Sequence, residues 1–120
     1  MSHLLYLHSF AGSPGKKRKP ISPMGLGRAV LEAYAPRFKK AGAQAWLALL
    51  TKDEGPVVLE PARVAELAKA LAEVAALAGP KLKCAPADVD EFEQVFIDEL
   101  LAPITSLVKK GGPGLFAEWC

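Results

Sequence analysis

The spacing of apolar and polar positions predicts helices, and the clearest of them lies over residues 61–78. Apolar side chains recur there at steps of three and four, while charged side chains occupy the opposite side. Pro61 suits the first helical position because its missing N–H would have no partner there, and Gly79-Pro80 ends the helix. The segment therefore needs a core to cover its apolar stripe, which consists of Val64, Leu67, Leu71, Val74 and Ala78.

Two further helices are predicted near residues 23–40 and 88–110, each with one apolar side. Ser22-Pro23 has the residue types that begin a helix, so the first of the two should start there. Each segment also contains an interior proline, which removes a backbone hydrogen bond and crowds the preceding turn. We therefore expect Pro36 to kink or end the first helix and Pro103 to kink the second.

Short apolar runs predict strands near residues 3–8, 44–50 and 56–59. The aromatic-rich terminal run is expected to dock on the domain, either as a further strand at 114–119 or as a cap. The runs 44–50 and 56–59 are expected to form a hairpin, and the first strand is expected to pair with 44–50, with 57–59 as an optional further partner. Periodicity cannot separate a short buried strand from a short buried helix, so a helix at 44–50 remains an alternative. Together these elements predict an α+β fold with a small sheet covered by three helices, and an all-α bundle is the alternative.

Length and composition fit one domain spanning residues 1–120. The hydrophobic fraction of 51% and the charged fraction of 23% are ordinary for a folded protein. The sequence contains neither a secretory signal nor an apolar run long enough to cross a membrane. Only Cys84 and Cys120 could form a disulfide. A reducing cytoplasmic setting with free thiols is the expectation, with the nucleus as the alternative in a eukaryotic host.

Charge is divided unevenly along the chain. Residues 1–40 contain eight Lys and Arg and one Glu, a net charge of +7, whereas residues 41–120 contain seven Lys and Arg and twelve Asp and Glu, a net charge of −5. Four consecutive cations lie in a Pro- and Gly-rich segment, 11–22, that predicts an exposed loop. They are Lys16, Lys17, Arg18 and Lys19. Such a run resembles a nuclear-localisation signal and is also typical of contacts to polyanions.

Residues 4–14, LLYLHSFAGSP, resemble the first strand and turn of small α/β-hydrolase esterases. The resemblance implies an acyl-hydrolase site at His8 and Ser9. It departs from that family at Ser9, where the family has glycine, and the chain contains no G-x-S-x-G nucleophile motif. Thiol chemistry at Cys84, which follows Lys81 and Lys83, is the other enzymatic alternative.

A longer segment, residues 46–118, resembles the C-terminal portion of the YfbM-like family of small bacterial proteins of unknown function. The resemblance rests on a helix start of the form x-Pro-x-x-Val in VVLEPARVAELAKALAEV, on the second long helix, and on the terminal GGPGLFAEW. It implies a similar fold over these residues and no particular activity.

The leading functional hypothesis is a non-catalytic binding or adaptor domain. Its basic loop would engage a protein or a polyanion such as nucleic acid, and the acidic helix face at 88–99 would engage a basic surface. The same layout allows head-to-tail self-association. No cofactor is expected. The spacing of the histidines and cysteines also predicts no metal site. His3 and His8, for example, would lie on opposite faces of a strand.

Overall fold

An antiparallel sheet and five helices make the described part of this chain an α+β protein. The structure is a computed structural model and describes residues 4–11, 18–52, 55–111 and 113–119. The strands are β1 (Leu4–Phe10), β2 (Lys19–Pro20), β3 (Leu26–Gly27), β4 (Val57–Leu59) and β5 (Gly114–Trp119). The first four helices are α1 (Arg28–Ala33), α2 (Ala35–Lys40), α3 (Gln44–Thr51) and α4 (Pro61–Ala76).

The fifth helix, α5, runs over residues 89–109 and is built from three segments. A π-helical turn, Ile97–Leu101, joins the α-helical segments Val89–Phe96 and Ala102–Lys109. This turn lies immediately before Pro103, which lacks the N–H that a regular helix would use at that point. The predicted long helix is therefore confirmed, and its irregularity is a π-helical turn at the place where a kink was expected.

The sheet is centred on the first and last strands of the fold. Its order is β2-β1-β5-β4, and β3 pairs with β1 outside this path. In the β1–β5 register, Leu5 lies opposite Trp119 and Phe10 lies opposite Gly114. Because side chains alternate along a strand and directly paired residues share a face, this register assigns every side chain of the sheet to one of two faces.

The main core lies between the helices and one face of the sheet. Leu5 and Leu7 of β1 and Leu115 and Ala117 of β5 are buried in it. The predicted stripe of α4 supplies Val64, Leu67, Leu71 and Val74 to the same core. The α+β fold, the helix that begins at Pro61 and the terminal strand are thus confirmed.

Residues 44–50 form helix α3, so the prediction of a strand there, and of a hairpin with 56–59, is wrong. The segment QAWLALLT contains good helix formers, and only tertiary contacts decide its state. The indole N–H of Trp119 donates to the Leu50 carbonyl at 2.9 Å, and Arg28 donates to the Thr51 carbonyl at 2.7 Å. These donors satisfy carbonyls that the last turn of a helix leaves unpaired. Strand β4 pairs with β5 instead.

The predicted helix over 23–40 is interrupted and begins later than expected. The chain first forms β3, helix α1 begins at Arg28, and the break before α2 falls at Tyr34 with Pro36 in the first turn of α2. Ser22 caps no helix. Its hydroxyl oxygen instead accepts a hydrogen bond from the Leu7 N–H at 3.1 Å.

The prediction of an exposed loop over 11–22 is wrong at its C-terminal end. Residues 19–20 form strand β2, and Ser22 is buried. Strands β2 and β3 are the two ends of one interrupted edge beside β1, since β2 pairs with His8 and Ser9 and β3 pairs with Leu4 and Leu5. Between them, Ile21 still donates to the Leu7 carbonyl at 2.9 Å, and the chain then turns so that Met24 and Gly25 contact Glu99 of the helical layer.

Glu99 fixes this departure of the chain from the sheet edge. Its Oε1 accepts the N–H of Met24 at 2.8 Å and that of Gly25 at 2.7 Å. Gly25 has φ +93°, a conformation that side-chain-bearing residues rarely adopt. The sequence predicts Glu99 on an acidic helix face available to a partner, but in the structure it lies in the π-helical turn, is only 7% exposed and binds these two donors.

We expect Leu71→Ala to lower the free energy of unfolding by about 2–5 kcal/mol, because Leu71 is fully buried and truncation leaves a cavity. Urea denaturation measures the change. Lys69→Ala, on the exposed side of the same helix, should change stability by less than about 0.5 kcal/mol. Equal effects of the two substitutions would contradict the placement of the core.

We expect Glu99→Leu to lower the free energy of unfolding by about 3 kcal/mol, because it leaves two backbone N–H groups without their acceptor. Glu99→Gln keeps an acceptor oxygen and removes only the charge, so a loss of about 1 kcal/mol is expected. The control is Asp98→Asn on the neighbouring exposed residue. If Glu99→Leu were as mild as this control, Glu99 would not hold the 22–25 segment.

Candidate functional site

The predicted basic cluster divides at the start of strand β2. Lys16 and Lys17 lie outside the described residues. Lys19 is exposed and pairs with Ser9, so its side chain is on the helix-bearing side of the sheet edge. Arg18 precedes it and lies on the other side, over the ring of Phe116. The run therefore does not present Arg18 and Lys19 on one surface.

The sheet face turned away from the main core, here called the outer face, carries most of the aromatic side chains of the sheet. The register assigns to it Pro20 of β2 and, from β1, β4 and β5, the residues Tyr6, His8, Phe10, Val58, Phe116 and Glu118. Phe10 and Phe116 are 7% and 8% exposed, yet neither belongs to the main core cluster. The outer face thus has a small aromatic cluster of its own.

One row of paired residues crosses this face without a charged side chain. Pro20 pairs with His8, His8 with Phe116, and Phe116 with Val58. Four adjacent strands at about 4.8 Å per step give this row a length of about 14 Å. Val58 at its end is 44% exposed.

Phe116 is the centre of the row. The ring of His8 meets it edge-on, with centroids 6.1 Å apart and planes at 67°. The Arg18 guanidinium carbon lies 4.0 Å from the Phe116 ring centroid, within cation–π range. Among the described residues, no carboxylate lies within ion-pair distance of Arg18.

Phe10 packs on the backbone beside this row. A Cβ added at Gly114, its cross-strand partner, would lie 2.4 Å from the Phe10 ring. The ring therefore covers the glycine, which explains why a side chain is absent at the position where β5 begins. Aromatic cover of a strand glycine compensates for the packing that the glycine lacks.

His8 carries an unsatisfied polar atom in this cluster. Its Nδ1 is buried and has no hydrogen-bond partner among the described residues. A buried polar atom without a partner costs free energy.

The structure separates the residues of the enzymatic alternatives. His8 and Ser9 are consecutive in a strand and point to opposite faces of the sheet, so they cannot act on one another. Cys84 lies in the helical layer, in a groove of about 380 Å³ lined also by Arg37, Lys81 and Asp90. None of the residues lining this groove is a histidine.

Arg37, the buried cation of the groove beside Cys84, has structural partners. Arg37 donates from Nε to the Pro80 carbonyl at 2.9 Å and contacts Glu93 at 3.5 Å. Tyr34 stacks on Phe96 with centroids 4.1 Å apart. Burial, reinforced by the negative charge of Glu93, raises the pKa of Tyr34 to about 12. Arg37 and Tyr34 thus serve the packing of α2 against α5.

The acidic helix face at 88–99 is smaller than the sequence suggests. Glu99 binds backbone N–H groups and Glu93 contacts Arg37. The exposed carboxylates of this helix are Asp90, Glu91 and Asp98. Part of the negative charge therefore stabilises the fold rather than facing a partner.

Among the described residues, no group of three or more His, Cys, Asp or Glu side chains is arranged to hold a metal ion. The helices of this part of the chain also lack the length and apolar character needed to cross a bilayer. Comparisons with protein-family models, curated proteins and solved structures give no match to the chain. The YfbM-like and esterase resemblances therefore remain predictions.

Sequence reasoning found Arg18 but missed its partner. From the sequence, Phe116 is only one residue of the terminal run, and His8 is a candidate site residue only through the esterase resemblance. The available signal was the alternation of the terminal run, in which Phe116 and Glu118 fall on one face and Leu115 and Ala117 on the other. Without the strand register, this alternation does not show that the terminal strand pairs with β1 and that Phe116 lies beside His8.

We expect His8→Leu to leave the free energy of unfolding unchanged or to raise it by about 1 kcal/mol, because the substitution removes a buried unsatisfied nitrogen. Thermal and urea unfolding measure the change. Phe116→Ala, in the same cluster, should lower stability by about 3 kcal/mol. A loss above about 1 kcal/mol for His8→Leu would mean that the imidazole supports the fold.

Proposed function

We propose that this protein is a non-catalytic binding domain that recognises a polyanionic partner through its basic segment, residues 16–19, within which Arg18 lies at the border of the outer face. The observation that carries the proposal is the position of Arg18. Its guanidinium stacks on Phe116 while no carboxylate of the described residues pairs with it. A stacked arginine without a counter-ion retains its charge for a ligand phosphate or carboxylate.

The distribution of the other arginines supports this assignment. Arg28 donates to the Thr51 carbonyl and lies over Trp119, and Arg37 binds the Pro80 carbonyl and Glu93. Arg63 lies over Trp46 and pairs with Glu66. Each of these three has a structural contact besides its aromatic ring, so Arg18 is the arginine best suited to bind a partner.

The partner is expected to be a polyanion such as nucleic acid, or a protein with an acidic surface. The cytoplasm is the proposed compartment, and in a eukaryotic host the four cations would also suit nuclear import. The positions of His8, Ser9 and Cys84 disfavour the enzymatic alternative, because these residues occupy three different surroundings and do not form a common site.

We expect replacement of Lys16, Lys17, Arg18 and Lys19 by Ala to weaken binding to heparin and to single-stranded DNA by about tenfold or more at low salt. Each lost phosphate contact should also reduce the slope of log K against log[salt] by about 0.7 on single strands. Fluorescence anisotropy over a salt series measures both quantities.

The matched control replaces four exposed lysines elsewhere, Lys40, Lys52, Lys69 and Lys109, by Ala. It removes the same net charge, so a specific site predicts a loss of no more than about threefold. Circular dichroism checks that both variants are folded. Equal losses in the two variants would mean that net charge alone governs binding and would refute the proposed site.

A further inference from the structure

We propose that the outer face is a stacking platform for the bases of a single-stranded nucleic acid, with Phe116 as the central ring. This inference rests on the proposed function and specifies its ligand. A polyanion site needs only cations, whereas a site for bases also needs an aromatic surface that a base can cover.

The position of Phe116 fits this role. It lies on β5, one of the two central strands, and is paired directly with His8 of β1 and with Val58 of β4. An antiparallel sheet whose other face is covered by helices holds these side chains rigidly. Aromatic side chains on the central strands of such a sheet are a recognised way of stacking unpaired bases.

Arg18 marks the place of the base. Its planar guanidinium lies 4.0 Å from the centroid of Phe116, where a base stacked on this ring would lie. Arg18 belongs to an exposed segment at the border of the sheet, so it can leave the ring with little loss of other contacts. In the complex a base takes its place on Phe116, and the guanidinium binds the adjacent phosphate.

The neighbours of Phe116 favour a strand that crosses the sheet along the uncharged row. Val58 extends the surface on one side of Phe116, and His8 and Pro20 extend it on the other. The whole row is about 14 Å long. The row beside it pairs Tyr6 with Glu118, whose carboxylate disfavours phosphates at that position. The uncharged row and the carboxylate beside it therefore both favour a nucleic-acid strand that lies along the row.

His8 supplies a polar atom to this path. Its Nδ1 has no partner while Arg18 covers Phe116. Opening of the stack by a base exposes the imidazole beside the ligand, where a base edge or a phosphate satisfies this nitrogen. The unpaired Nδ1 of His8 would then lower the stability of the free protein and contribute to binding. Functional sites often lower stability in this way.

The test compares an oligodeoxythymidine of about 12 nucleotides with an abasic oligomer of the same length and charge. Anisotropy titration of the wild-type chain should give affinity about tenfold or more higher for the strand with bases. Equal affinity for both probes would refute base stacking while leaving polyanion binding intact, and binding to neither probe would refute the proposed function itself.

The variant series separates stacking from charge. Phe116→Leu keeps an apolar side chain and should lower affinity for the oligodeoxythymidine about fivefold or more, with no change for the abasic oligomer. Phe92→Leu, an aromatic substitution on α5, is the matched control and should leave both affinities unchanged. His8→Leu should weaken oligodeoxythymidine binding without loss of thermal stability.

Two further outcomes would overturn the proposal. One is a Phe116→Leu variant that stays folded and binds the oligodeoxythymidine as the wild type does. The other is tighter binding of an acidic peptide, or of vesicles containing phosphatidylserine, than of the oligodeoxythymidine at equal ionic strength, because either ligand offers negative charge without bases.

Discussion

The pairing of the first strand with the last is the constraint on which the rest of the structure depends. The β1–β5 register directs Leu5, Leu7, Leu115 and Ala117 into the main core and leaves His8 and Phe116 on the outer face. A slip of one residue would exchange the two faces and expose the leucines. Because this pairing joins residues more than a hundred positions apart, the core and the outer face are completed only when both ends of the chain are present.

The edge beside β1 shows how a buried charge shapes a strand. Between β2 and β3 the chain leaves the sheet, and Ser22 supplies the acceptor that the Leu7 N–H would otherwise lack. Glu99 accepts the N–H groups of Met24 and Gly25 from a π-helical turn on the opposite layer. A helix irregularity before Pro103 and a strand irregularity at Gly25 thus compensate each other, since each supplies the hydrogen-bond partner that the other needs.

The four arginines of the sequence all lie over aromatic rings, but in different settings. Arg28 and Arg37 also donate to backbone carbonyls, and Arg63 pairs with Glu66 on the helix surface. Arg18 differs because its ring, Phe116, belongs to a cluster outside the main core and its charge has no carboxylate partner in the described part of the chain. The same chemical contact therefore stabilises the fold in three cases and leaves a candidate binding group in the fourth.

The sequence by itself determined the α4 stripe, the interruption near Pro103 and the strand character of both termini, because periodicity and proline chemistry act over a few residues. Only the tertiary structure decided that 44–50 is helical, since its carbonyls are satisfied by Arg28 and Trp119. It also decided that Glu99 is buried. The candidate site follows the same division: the basic run is visible in the sequence, whereas the placement of Arg18 over Phe116 requires the strand register. Local patterns fix which side chains are apolar, but the choice of their partners depends on pairings between distant residues, which no local pattern encodes.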